Sequence, residues 1–119
     1  ARMLKIEVGR IVKTVLFLDE TDRLIAVMLQ GGKKVDTNKL CTLLKVKKLR
    51  MATREEVLVR TGYETGALPP LGFDAVFVLD TAVAGEVYAG GGALNSLLKI
   101  ETKEILRLNK PLVVTVSKV

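Results

Sequence analysis

The sequence predicts an α+β domain: a mixed, largely antiparallel sheet with packed helices. Three observations point there. A chain of 119 residues that is 49% hydrophobic is the size of one compact domain and has enough apolar side chains for a real core. Its N-terminal third alternates two apolar runs around a short polar turn, the pattern of a hairpin. Farther along, strand and helix signals follow one another irregularly, with hairpins as well as crossovers, which argues against a doubly wound parallel sheet.

The elements follow in order. Arg10 to Leu18 is rich in Val, Ile, Leu and Phe and reads as a strand, interrupted by Lys13 and Thr14. Glu20-Thr21-Asp22 is a turn, and Arg23 to Gln30 is the returning strand, closed by Gly31-Gly32. Asp36 or Thr37 can cap a helix reaching about Lys45, whose Leu40, Leu43 and Leu44 share one face. Lys47 to Met51 reads as a short strand. Thr53-Arg54-Glu55-Glu56 then matches the capping box, in which the hydroxyl and the carboxylate each satisfy an unpaired backbone donor, so a helix starts at Thr53. It stops at Thr61, because Gly62 can take the left-handed conformation that ends helices. Residues 62–72 hold too much Gly and Pro for a regular element. Asp74 to Leu79, Glu86 to Ala89 and Ser96 to Ile100 read as strands, the last two joined through Gly90-Gly91-Gly92. Thr102 can cap a helix from Lys103 to Leu108, and beyond Pro111 the stretch Leu112 to Ser117 alternates as a final strand.

Composition restricts the chemistry. There is no histidine, which removes the usual general base, the usual triad member and the commonest zinc ligand. Cys41 is the single cysteine, so there is no internal disulfide and no thiol pair for redox work or zinc; it reads as a buried apolar residue. Catalysis would have to use Lys, Arg, carboxylates, Tyr, hydroxyls, backbone N–H groups or the substrate's own groups. Apolar runs such as Val15 to Leu18 are far too short to cross a bilayer, and the first residues lack the apolar core of a secretory signal, so the chain reads as cytoplasmic, with no membrane partner. A formal charge of +6 favours a polyanionic partner, whereas the 4% aromatic content and absence of Trp argue against serial base stacking.

Four features could carry function. The loop from Thr61 through Gly62, Tyr63, Gly66, Ala67, Pro69 and Pro70 to Gly72 frees backbone N–H groups on a stiffened path, which suits an anion or carbonyl oxygen as well as it suits a plain connector. It is not a Walker loop, because no Gly-Lys-Ser/Thr follows. Gly90-Gly91-Gly92 could let backbone approach a ligand or could simply turn a hairpin. Lys13, inside an apolar strand, either reaches out past an edge or enters a polar cleft. The pairs Lys33-Lys34 and Lys47-Lys48 read as solvated charge, with phosphate contact as the alternative.

Together, Ile11-Val12-Lys13-Thr14, the Thr61–Gly72 loop and Gly90-Gly91-Gly92 stand in an order and spacing that resembles the YbaK/EbsC family, which includes the insertion domain of bacterial prolyl-tRNA synthetases and free-standing relatives that edit in trans. The resemblance covers nearly the whole chain. It implies a barrel-like sheet and an aminoacyl-tRNA deacylase that hydrolyses the ester of a mischarged tRNA, such as tRNA-Pro carrying Ala or Cys, without cofactor or metal. On this reading Lys13 and Gly66 are catalytic, and Thr14, Thr61, Gly62, Tyr63, Ala67, Gly91 and Gly92 bind substrate. The implied partners are the mischarged tRNA and an aminoacyl-tRNA synthetase, with the protein a monomer or homodimer. Two departures are visible. Phe73 stands where many relatives carry His, and the family's upstream helix and strand are expected to be absent ahead of Ala1. A catalytically inactive tRNA-binding or synthetase-associated module, and a small-molecule binder using the glycine turns, remain open alternatives.

Overall fold

The computed structural model describes residues 11–63, 75–90 and 97–118. Strand β1 (Val12–Asp19) pairs antiparallel with β2 (Leu24–Gln30), from Val12 opposite Gln30 to Leu18 opposite Leu24. The turn between them is written in Asp19. Its carboxylate accepts from the N–H and hydroxyl of Thr21 at 2.9 and 2.8 Å and from the N–H of Arg23 at 2.9 Å, which holds Asp22 at φ 61°. Burial alone would raise the Asp19 pKa; the N–H of Arg23, the hydroxyl and N–H of Thr21, and the Arg23 guanidinium outweigh it and hold the carboxyl below its ordinary value.

The short strand β3 (Lys34–Val35) leads into α1 (Thr37–Leu44), and of the two candidate caps it is Asp36 that serves, accepting from the Lys39 N–H at 3.2 Å. Next come β4 (Leu49–Met51) and α2 (Arg54–Thr61). The capping box at Thr53 and Glu56 forms as expected, at 3.1 and 2.8 Å. Arg50 adds a two-pronged ion pair to Glu56, 2.8 Å on each arm, and this with the Thr53 N–H pulls the Glu56 pKa down to about 2. Gly62 ends α2 at φ 81°, its N–H on the Leu58 carbonyl at 2.8 Å.

The remaining elements are β5 (Val76–Asp80), β6 (Glu86–Gly90), β7 (Leu97–Glu101), α3 (Thr102–Asn109), β8 (Leu112–Val114) and β9 (Ser117–Lys118). The main sheet has the order β4-β1-β2-β5-β8. Its β4-β1-β2 half is antiparallel and its β2-β5-β8 half parallel, while β6-β7 and β3-β9 form two small antiparallel ribbons. The mixed α+β reading therefore holds, but the expected barrel does not close: β4 and β8 are free edges among the described residues. Central β2 is buried from Leu24 to Leu29, as a strand covered on both faces must be. On one face Phe17, Ile25, Val27, Leu29 and Val78 pack with Leu40 of α1 and Val116. On the other, Leu16, Leu18, Leu24 and Ala26 pack with Val57 of α2, and Met28 and Leu79 with Val87 of β6 and Ile105 of α3.

Two expectations near the C-terminus are corrected. Thr102 does not cap α3: Glu101 holds the cap position without a side-chain bond, and the Thr102 N–H and hydroxyl both go to the Gly85 carbonyl at 2.8 Å. The stretch Leu112 to Ser117 is not one strand. Buried Asp80 takes the N–H groups of Val116 and Ser117 at 2.8 and 2.9 Å, which would otherwise feed a ladder, and turns the chain from β8 in the main sheet to β9 beside β3. No helix among the described residues is long and apolar enough to cross a membrane.

Candidate functional site

Period-two alternation along β1 separates its side chains. Lys13, Val15 and Phe17 face one side of the sheet; Thr14, Leu16 and Leu18 face the other. On the first side, Lys13 lies half-buried in a cleft of about 390 Å³ lined with Val15, Phe17, Lys34, Val35, Thr37, Met51 and Lys118. Of the two orientations open to a lysine in an apolar strand, Lys13 takes the cleft.

Each wall has a local cause. The floor is β1, whose Val15 and Phe17 join the core beneath. The ribbon β3-β9 forms one wall and sets Lys34 directly opposite Lys118. Four contacts anchor this ribbon: the Asp36 N–H on the Val116 carbonyl at 2.7 Å, and the Val116 N–H, the Ser117 N–H and the Ser117 hydroxyl, all donated to the Asp80 carboxylate. Thr37 enters as the first residue of α1, and Met51, 64% exposed, comes from edge strand β4. Among the described residues no Asp or Glu lines the cleft and no carboxylate pairs with Lys13, Lys34 or Lys118. Three cations over an apolar floor, with no counter-charge among the described residues, suit an anion with an uncharged group beside it.

The other expected site residues sit differently. The Thr14 hydroxyl, on the opposite face, is shut off from solvent and has no hydrogen-bond partner among the described residues. Thr61 is occupied at the end of α2, donating to the Val57 carbonyl at 2.6 Å and accepting from the Tyr63 N–H at 3.1 Å; Gly62 is the cap just described. Tyr63 is half-buried against the cluster of Leu16, Leu18 and Val57. Gly66, Ala67, Gly91 and Gly92 lie outside the described residues. Sequence reasoning missed Lys34, Thr37, Met51 and Lys118 as companions of Lys13. The one available signal was the lysine of the Lys33-Lys34 pair that precedes Val35 and the Asp36 cap, a pair read as solvated charge. Among the described residues no three His, Cys, Asp or Glu side chains converge as metal ligands would.

Comparison with known proteins gives the family. The aminoacyl-tRNA editing domain profile matches residues 1–108. The chain is 33% identical over 90 residues to the proline–tRNA ligase of Lactobacillus gasseri, an alignment that takes in 76% of this chain and 15% of the ligase. It is 30% identical over 109 residues to the uncharacterized protein YwhH of Bacillus subtilis, covering 88% of this chain and 69% of YwhH. Among solved structures, a proposed trans-editing enzyme for prolyl-tRNA synthetase superposes with a TM-score of 0.90 at 32% identity, over 100% of this chain and 77% of that one. The chain thus spans about 15% of the length of the ligase it resembles, a domain's worth. With the profile covering all but the last residues, the chain belongs to the aminoacyl-tRNA editing domain family.

Proposed function

We propose that the chain is an aminoacyl-tRNA deacylase, which hydrolyses the ester between a wrongly attached amino acid and the terminal ribose of tRNA, in the cytoplasm where tRNA is charged. The observation that carries this reading is Lys13, half-buried over an apolar floor in a cleft that no acidic residue lines among the described residues. A fixed cation there holds the ribose-phosphate end of the substrate and keeps the ester in one place. Water, or a nucleophile on the amino acid itself such as a cysteine thiol, adds to the carbonyl carbon. The bond to the ribose oxygen then breaks, and that oxygen leaves with a proton. By the family resemblance, backbone N–H groups near Gly66 hold the carbonyl oxygen as its negative charge develops. The prolyl relatives and the trans-editing neighbour favour tRNA-Pro as the substrate, and the family resemblance adds Ala or Cys as the amino acid removed.

The test is single-turnover deacylation of tRNA-Pro charged with Ala, Cys, Ser or Pro, beside thermal melts. Lys13→Ala is expected to melt as the parent does, because a cleft lysine adds little core packing, and to lose hydrolysis. Lys13→Arg keeps the charge in a wider, planar group and is also expected to be badly impaired. If both variants melt normally and hydrolyse at the parent rate, Lys13 is not part of the site. Tight tRNA binding by the parent without turnover of any of the four esters would instead establish a binding module.

A further inference from the structure

The β3-β9 ribbon poses an electrostatic problem that the fold alone does not resolve. Lys34 and Lys118 are direct cross-strand partners, a placement that brings two side chains to neighbouring positions on one face. Like charges so placed destabilise a ladder, and this ladder is only two residues long on each side. Lys13 adds a third positive charge to the same cleft, which no carboxylate lines among the described residues. Some cations elsewhere have acidic neighbours. Arg50 is paired with Glu56, Arg107 with Glu104 and Arg23 with Asp19, while Lys48 shares a hollow with Asp19, Glu20 and Asp22. Lys33, Lys39, Lys45, Lys103 and Lys110 likewise form no ion pair among the described residues; what sets Lys34 and Lys118 apart is their cross-strand placement in the cleft that holds Lys13. The ribbon that carries them is held by neutral backbone contacts and by Asp80, none of which involves either lysine side chain.

We infer that Lys34 and Lys118 form a phosphodiester clamp that grips the backbone at the 3′ end of the tRNA while Lys13 serves the ester. The identity of this anion's source rests on the proposed editing function. A phosphate between two lysines on adjacent strands replaces their mutual repulsion with two attractions, so the clamp is a poor ladder when empty and a good one when filled. Phosphate contacts of this kind set affinity and register and carry no information about the amino acid. The Lys47-Lys48 pair is the weaker candidate for this role, because acidic neighbours offset Lys48 and the Lys47 N–H is engaged by Glu20 at 3.1 Å.

The experiment measures binding of a short uncharged RNA ending in CCA, by fluorescence anisotropy across a salt series, with inorganic phosphate as a competing probe, on the parent and on K34Q, K34Q/K118Q and K34E. The double variant is expected to bind about tenfold more weakly and to lower the slope of log affinity on log salt by about 1. Lys34→Glu is the decisive variant. It makes the cross-strand pair one of opposite charge, so the empty protein is expected to melt at the parent temperature or above it, while RNA binding falls further than in K34Q. Parent-like RNA affinity in K34E and K34Q/K118Q overturns the clamp, as does a lowered melting temperature in K34E, which would make the lysine structural. Inorganic phosphate binding as tightly as the RNA, with the same lysine dependence, overturns the nucleic-acid source. Because the RNA carries no ester, lysine-dependent binding without deacylation would remove only the proposed function. Deacylation whose KM ignores K34Q/K118Q would remove only the clamp.

Discussion

Asp80 is 1% exposed, yet among the described residues it meets no cation and is held by hydrogen-bond donors alone. Oδ1 accepts the Val116 and Ser117 N–H groups at 2.8 and 2.9 Å; Oδ2 accepts the Ala82 N–H and the Ser117 hydroxyl, both at 3.1 Å. Asp80→Asn keeps the shape but turns an NH2 group toward the Ala82 N–H and weakens the other bonds by removing the charge. With hydrogen bonds to a charged acceptor contributing about 1.5–3 kcal/mol, and partial relief from no longer burying a carboxylate, the net loss is about 2 kcal/mol. Asp80→Ala leaves three backbone donors without their acceptor, at about 1–2 kcal/mol each, or about 4 kcal/mol in all. In a domain of this size, roughly 4 °C of melting temperature accompanies each kcal/mol, so drops of roughly 8 and 16 °C are expected.

The pH dependence has a definite sign. Burial pushes the Asp80 pKa up, but the N–H groups of Val116, Ala82 and Ser117 and the Ser117 hydroxyl outweigh it and hold the pKa below its ordinary 3.8. In the acid range the unfolded chain then binds the proton first. The contribution is fully present above about pH 4 to 5 and is lost as pH falls through the lower folded value. Denaturant unfolding followed from pH 7 down to pH 2 should therefore show the Asn variant losing less stability than the parent below pH 4, with Asp19 common to both. Asp80 also seats Lys118 against Lys34, so the Asn variant should bind CCA-ended RNA more weakly although residue 80 does not line the cleft. An Asp80→Ala protein within about 1 kcal/mol of the parent would refute the reasoning.

Three further outcomes are expected. Thr53→Ala removes half of the capping box and should cost about 1 kcal/mol, read from chemical denaturation, with no effect on a cleft that Thr53 does not line. Thr14→Val replaces a buried, unpartnered hydroxyl with a group of equal shape and should raise stability by roughly 1 kcal/mol; a fall in melting temperature would mean that the hydroxyl is bonded in the folded protein. Lys45, which ends α1 at φ 57°, should become more stable as Gly by up to about 1 kcal/mol, since the left-handed region penalises a Cβ; an unchanged melt would show that the cap is not strained.

The sequence by itself determined the elements whose cause is local. The Thr53–Glu56 box and Gly62 act within one helical turn, as does a cap at Asp36 or Thr37, between which the structure chose Asp36, and the apolar runs on either side of Asp19 can pair with nothing closer than each other. Lys13 stood out as well, because a cation in an apolar strand needs an explanation wherever the strand goes, but the residues around it left open whether it reached past an edge or into a cleft. Tertiary structure decided what depends on partners far along the chain. Nothing near Leu112 shows that it pairs in parallel with β5, and nothing near Ser117 shows that Asp80 will take its N–H and divert the strand. Thr102 carried a sound local capping signal and was drawn instead to the Gly85 carbonyl, because packing of the β6-β7 ribbon brought that acceptor within 2.8 Å. The cleft followed the same rule. Lys34 and Lys118 belong to opposite ends of the chain and become neighbours only through a two-residue ribbon, too short to leave a period in the sequence and held in place by a buried carboxylate on a third strand.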